Sequence, residues 1–312
     1  MSASQKTPGP LGAARRPVEN FKGIFWITVS GLCFVLMSAI VRHLGSDMSP
    51  FQAAFIRYVI GGLFVLPLAL RLNFDGFRRA RWGLHLGRGL IHGVGVLGWF
   101  YAVAYVPIAE VTALLFTAPI FTTIGAAVFF GERLHAHRIA AALAGLAGAM
   151  VILRPGIEIV QLGSIAMLIA APSFAISALI AKRLTEREDT IVVMAILTIF
   201  VTLMLLPPAL MVWRQPTPME MVWLGLIAAI ATVAHYSMTQ AIAVAELTVT
   251  QPFSFTQLVW ATLIGYWAFG ELPDIWTWIG AAIIVASVTY IAHRERLAGL
   301  QSGRRGTSGP LP

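Results

Sequence analysis

Apolar runs follow one another along almost the whole chain, separated by short segments rich in charge, Pro and Gly. A helix needs about 17 to 25 apolar residues to cross the hydrocarbon core of a bilayer. Ten runs of roughly that length are predicted as membrane spans: Gly23 to Leu44, Phe51 to Leu70, Gly83 to Ala104, Ile108 to Phe130, Ala136 to Leu153, Leu162 to Ala181, Thr190 to Trp213, Met219 to Val244, Leu247 to Phe269 and Ile275 to Ala292. The fifth run is short, and only Glu246 punctuates the join of the eighth and ninth, so nine spans is the alternative count. Composition agrees with the pattern. With 58% hydrophobic and 12% charged residues, a 312-residue chain has too little polar surface to coat a soluble globule. The expected fold class is an all-α polytopic membrane protein.

Lys and Arg set the orientation of such a chain. With the N-terminus inside, seventeen of the 22 fall in cytoplasmic segments; Arg42, Arg154 and Arg214 face the other side, and Arg57 and Arg88 fall within spans. Ten spans put both basic ends in the cytoplasm, whereas nine would send the basic C-terminal end outside. The expected location is a bacterial-type inner membrane, with both termini cytoplasmic and lipid as the first partner. Because the basic residues serve as topological anchors, a nucleic-acid partner is not expected. Residues 1–20 are rich in Pro, Gly, Ser and Arg and lack the apolar core of a signal peptide; like residues 294–312 they are expected to be disordered tails. The single cysteine, Cys33, lies in the first run, which excludes an intrachain disulfide and argues against a thiolate metal site.

The chain also repeats itself. Ala109-Glu110-Val111-Thr112 opens the fourth run and Phe130-Gly131-Glu132 closes it; Ala245-Glu246-Leu247-Thr248 opens the ninth and Phe269-Gly270-Glu271 closes it. Halves with five spans each must insert with opposite orientation, which predicts two inverted five-helix repeats. Charge agrees: basic Arg133 to Arg138 follows Glu132, whereas Leu272-Pro273-Asp274 follows Glu271.

Further motifs carry a resemblance. They are Arg57 at the end of Phe51-Gln52-Ala53-Ala54-Phe55-Ile56-Arg57, Arg88-Gly89, Phe116-Thr117-Ala118-Pro119 before Gly131-Glu132, and Gln251-Pro252-Phe253-Ser254-Phe255-Thr256-Gln257-Leu258-Val259-Trp260 before Gly270-Glu271-Leu272-Pro273-Asp274, with Gly280-Ala281-Ala282-Ile283-Ile284 following. Over residues 21 to 293 the chain resembles the drug/metabolite transporter superfamily in its EamA-domain branch, with one repeat over 21–154 and the other over 161–293. The resemblance implies ten helices around a central cavity and alternating access, with no ATP and no cofactor. Leu258 stands where Pro119 aligns, so Pro252 is expected to supply the second half's bend. Within that superfamily the Gln251 to Trp260 stretch and Pro273-Asp274 are most similar to riboflavin and S-adenosylmethionine uptake carriers. Both cargoes are bulky and suit a wet cavity lined by aromatic and amide side chains.

An ionisable residue inside a membrane is costly and is expected to face the bundle interior or a water-filled path. Arg57, and Arg88 with His92 one turn further along the same helix face, form a cationic set suited to a carboxylate, a phosphate or an electron-rich ring. The alternative is that both arginines bond helix-end carbonyls or reach the nearer surface. His235, Tyr236 and Gln240 in the eighth run, Gln251, Thr256, Gln257 and Trp260 in the ninth, and Trp99 and Tyr101 in the third are the other lining candidates. Ordinary interhelical hydrogen bonding is the competing role for these. Glu110 and Glu246 occupy corresponding positions near opposite faces, where gates or proton-coupling carboxylates would lie; stabilisation by a helix N-terminus is the simpler account.

Small residues Ala141, Gly145 and Ala149 allow close helix approach within the bundle or in a homodimer. No metal site is expected, since His135 and His137 stand without further ligands. An intramembrane enzyme lacks its motifs here, with no His-Glu-x-x-His, Gly-x-Ser-x-Gly or P-loop, and a channel lacks a recognisable filter. The reading is therefore a secondary carrier of a small organic metabolite, with export of amino acids or other metabolites as the alternative direction.

Overall fold

A computed structural model describes residues 17–45, 47–72, 74–130, 136–154, 161–244 and 253–306. The described chain folds as helices: α1 (Pro17–Leu44), α2 (Pro50–Leu72), α3 (Phe74–Arg79), α4 (Trp82–Tyr105), α5 (Ile108–Leu115), α6 (Ala118–Phe130), α7 (Ala136–Leu153), α8 (Leu162–Thr185), α9 (Thr190–Met211), α10 (Pro218–Val244), α11 (Thr256–Phe269) and α12 (Ile275–Gly306). Five segments are long and apolar enough to cross a bilayer on those grounds alone: Phe21–Leu44, Pro50–Arg71, Leu162–Thr185, Thr190–Met211 and Pro218–Met238. Helix α4 has comparable length but carries His85, Arg88 and His92.

The helices start and stop for local reasons. Asp189 caps α9 by accepting from the Ile191 amide at 2.9 Å. At the start of α10, Thr217 and Glu220 form a reciprocal capping box: the Glu220 amide donates to Thr217 Oγ1 at 3.3 Å and the Thr217 amide to Glu220 Oε2 at 2.7 Å. Gly270, at φ +67°, ends α11, and the Glu271 amide closes back onto the Gly265 carbonyl at 3.0 Å. Asp274 then opens α12 by accepting from the amide and hydroxyl of Thr277.

The run expected as one span from Ile108 to Phe130 is two helices, α5 and α6, parted at Phe116 and Thr117. Pro119 has no amide to give to the Leu115 carbonyl, and the Thr117 hydroxyl takes the Leu114 carbonyl at 2.7 Å. In the second half Phe255, in a turn, precedes α11. The two break points meet: the Phe116 and Phe255 rings pack edge to face, centroids 5.1 Å apart.

Packing interleaves the halves. The most extensive contacts join α4 to α8, α1 to α10, α7 to α12 and α2 to α9. Exchanging the halves in order (α1 with α8, α2 with α9, α4 with α10, α7 with α12) converts the first pair into the second and leaves the other two unchanged. A large buried cluster that includes Val35, Phe100, Leu114, Ile120, Met167 and Ile284 draws on both halves.

Two charged clamps follow the same exchange. Ahead of α4, Arg81 donates to the Arg183 carbonyl at 2.6 Å and to Glu188 at 2.9 Å, and His85 meets Glu188 at 2.7 Å. Ahead of α10, Arg214 pairs with Glu220 and donates to the Asp47 carbonyl at 2.6 Å, while Gln52 bonds the Arg214 backbone. Each clamp ties the third long helix of one half to the first loop of the other. Burial of Glu188 favours its neutral acid, but hydrogen bonds from His85 and Arg81 outweigh this and hold the carboxyl below its usual range.

Candidate substrate site

Arg57 on α2, Arg88 and His92 on α4 and His235 on α10 converge. His92 lies within electrostatic range of Arg88, Arg57 and His235, and His235 within range of Arg57. The Arg57 guanidinium rests over the ring of Tyr58, 4.6 Å from its centroid, and Tyr58 is also within electrostatic range of Arg88. Arg88 is buried, donates one bond to the Val193 carbonyl at 3.2 Å and leaves its buried Nε without a partner. His92 Nδ1 and the Ser177 hydroxyl of α8 are 3.0 Å apart, and Phe174 packs edge-on against the imidazole at 5.2 Å. His235 keeps an exposed face and packs edge-on against Phe34 of α1, also at 5.2 Å.

These groups come from α1, α2, α4, α8 and α10, and therefore from both halves. Along these helices Asp and Glu occur only in the first turns of α1 and α10. The site thus sets two guanidiniums and two imidazoles among aromatic rings, without a carboxylate from the same stretches of helix. Such an arrangement suits a planar, acceptor-rich solute, because guanidinium presents a fixed fork of donors and aromatic faces provide stacking area.

The other candidates lie elsewhere or are engaged in packing. Trp99 is buried edge-on against Phe100, centroids 5.1 Å apart. Tyr101 stacks on Phe51, near the start of α2, and leans on Tyr105. Tyr236 is exposed, meets Trp26 edge-on and accepts from Gln240 Nε2 at 2.9 Å. Thr256 returns its hydroxyl to the Phe253 carbonyl at 2.6 Å, and Gln257 packs beside Gly31 of α1. Trp260 packs against the main core with a buried indole N–H that has no partner. Glu110 accepts from Ser164 at 2.6 Å, linking α5 to α8. Gln251 and Glu246 lie outside the described residues.

Tyr58, Ser177, Phe174 and Phe34 were not singled out from sequence. Residues of these types are common in apolar spans, and only proximity to Arg57 or the histidines distinguishes them. An open cavity of about 460 Å³ lies away from these residues, where α1 ends and α10 begins, lined by His43, Asp47, Arg214, Thr217, Glu220 and Trp223 among others. Among the described residues no group of three or more His, Cys, Asp and Glu side chains is placed to hold a metal ion.

The sequence profile of the EamA-like transporter family matches residues 21–154 and again 161–292. The riboflavin transporter of Vibrio cholerae is 32% identical over 280 residues, covering 88% of this chain and 94% of that protein. The riboflavin transporter of Rhizobium johnstonii is 32% identical over 291 residues, covering 90% and 94%. The S-adenosylmethionine uptake transporter of Rickettsia bellii is 26% identical over 276 residues, covering 88% and 95%. A solved crystal structure superposes with a TM-score of 0.56 at 22% identity, covering 88% of this chain and 97% of the other, a likeness of fold.

Proposed function

The chain belongs to the EamA-like transporter family, and from that premise we propose that it takes up a bulky heteroaromatic metabolite, riboflavin or S-adenosylmethionine, by alternating access. In this reading ten helical crossings form two inverted halves. The broken fourth and ninth spans each count as one crossing, and both termini are cytoplasmic in a bacterial inner membrane. The distribution of Lys and Arg supports the orientation, and the exchange symmetry of helix contacts supports the inverted halves.

The observation that carries the proposal is the convergence of Arg57, Arg88, His92 and His235 between helices of both halves. A site shared by two rocking halves faces one side and then the other without being rebuilt, which is what a carrier requires. Uptake by cells without their own carriers, using labelled riboflavin and S-adenosylmethionine, tests it. Saturable uptake of at least one compound is expected, with a fall of about tenfold in His92→Ala, the scale of one lost hydrogen bond in a buried site. Background-level uptake of both by protein shown to be in the membrane would overturn the proposal.

A further inference from the structure

The central site contains an imbalance of charge. Arginine stays protonated in any protein setting and prefers acceptors in a planar, two-pronged arrangement. Among the described residues Arg57 has no hydrogen bond or ion pair, and its guanidinium rests over the face of Tyr58, 4.6 Å from the ring centroid. Arg88, nine-tenths buried, spends one donor on the Val193 carbonyl and keeps Nε unpartnered. Four carboxylates among the described residues are committed to cations at helix ends: Glu271 to Arg42, with the Ile108 amide, Asp274 to Arg154, Glu188 to Arg81 and His85, and Glu220 to Arg214. Beyond the first turns, the helices that build the site contain no Asp or Glu.

From this imbalance we propose that the site selects its cargo by charge: it accepts a neutral or anionic ring system with carbonyl oxygens and ring-nitrogen acceptors on its edge and rejects permanent cations, with Arg57 as the group that reads that edge. The inference rests on the carrier reading above and separates its two cargoes. The flavin ring is uncharged at neutral pH, and each of its two carbonyl oxygens has an unprotonated ring nitrogen beside it, a planar pair of acceptors that a guanidinium fork matches. S-adenosylmethionine carries a permanent sulfonium and an ammonium against one carboxylate. Placed here, those cations would face two guanidiniums with no carboxylate from the described helices that build the site to offset them. The aromatic rings do not reverse this. Tyr58 already lies under the Arg57 cation, and Phe34 and Phe174 already pack edge-on against His235 and His92.

The test measures uptake of labelled riboflavin with unlabelled riboflavin or S-adenosylmethionine as competitor, in wild type, Arg57→Gln and Arg57→Lys, with membrane levels of each protein matched by immunoblot. Riboflavin uptake is expected to be saturable and insensitive to a large excess of S-adenosylmethionine. Arg57→Gln is expected to lose tenfold or more, the scale of one charge-assisted hydrogen bond, and Arg57→Lys to recover part of the loss, since it restores the charge without the fork. Transport of S-adenosylmethionine, or competition by it as effective as by riboflavin itself, would overturn selection by charge and leave the carrier standing. Wild-type uptake by a well-inserted Arg57→Gln would overturn the role of Arg57. Transport of neither compound by the wild type would overturn the carrier reading and this inference together.

Discussion

A single methyl group measures how closely α7 and α12 approach. A Cβ added at Gly148 would sit 2.8 Å from the Gly280 carbonyl oxygen, and one added at Gly280 would sit 2.5 Å from the Gly148 oxygen. These neighbours are backbone and cannot rotate away, so the helices must part. Gly280→Ala is expected to cost about 1 to 3 kcal/mol, the range for overpacking a filled site, seen as a lower thermal midpoint in detergent. Gly225→Ala is the control, because nothing lies within 4 Å of the added group; equal midpoints for the two variants would refute the close approach. The sequence displays small residues on α7 at Ala141, Gly145 and Ala149, and the Gly148 contact lies one position from the last of them. What it does not display is Gly280 as the partner, 132 residues further on. The same limit applied at the central site. Arg57, His92 and His235 stand out because charge and imidazole are rare in apolar runs, whereas Tyr58 and Ser177 do not.

At the level of elements, the clamp joining the start of α4 to the α8–α9 loop responds to acid. Glu188 is held below the usual carboxylate range, so its contribution to stability is complete above about pH 4.3 and is lost as pH falls through the lower folded-state value. Glu188→Gln is expected to lower the thermal midpoint near neutrality, where a charge-assisted network becomes a weaker amide contact. It should also show a smaller further fall on acidification than the wild type. A midpoint that falls in parallel for both proteins below pH 4.3 would place the acid response elsewhere. Apolar length revealed most of the helices before their geometry was known. It shows Ile108 to Phe130 as one run; Pro119 marks a bend there, but apolar length alone does not show that the bend becomes a break between α5 and α6 at Phe116 and Thr117. The clamps escaped notice for another reason: Arg81 and Glu188 are ordinary loop charges until the fold brings them together.

Considered as a whole, the molecule consists of two halves that do not pack mainly on themselves. The strongest partnerships of α1 and α4 are with α10 and α8. Residues 1–157 and 158–312, made as separate chains in one cell, are therefore expected to assemble and restore uptake, whereas either alone should fail to accumulate. Uptake by one half alone would contradict the interleaved packing. The duplication was legible from Glu110, Glu246 and the paired Gly-Glu motifs. The pairing of α1 with α10 was not, because helices in lipid are apolar all round and no stripe marks the side that meets a partner. That pairing has a consequence in time. The Ser30 hydroxyl donates to the Ala234 carbonyl, 204 residues later in the chain. At a synthesis rate of about 5 to 20 residues per second, its acceptor emerges about 10 to 40 seconds after it. For that interval the first helix waits in the bilayer with its α10-facing surface turned to lipid tails, so the ribosome's pace sets when this pair can close.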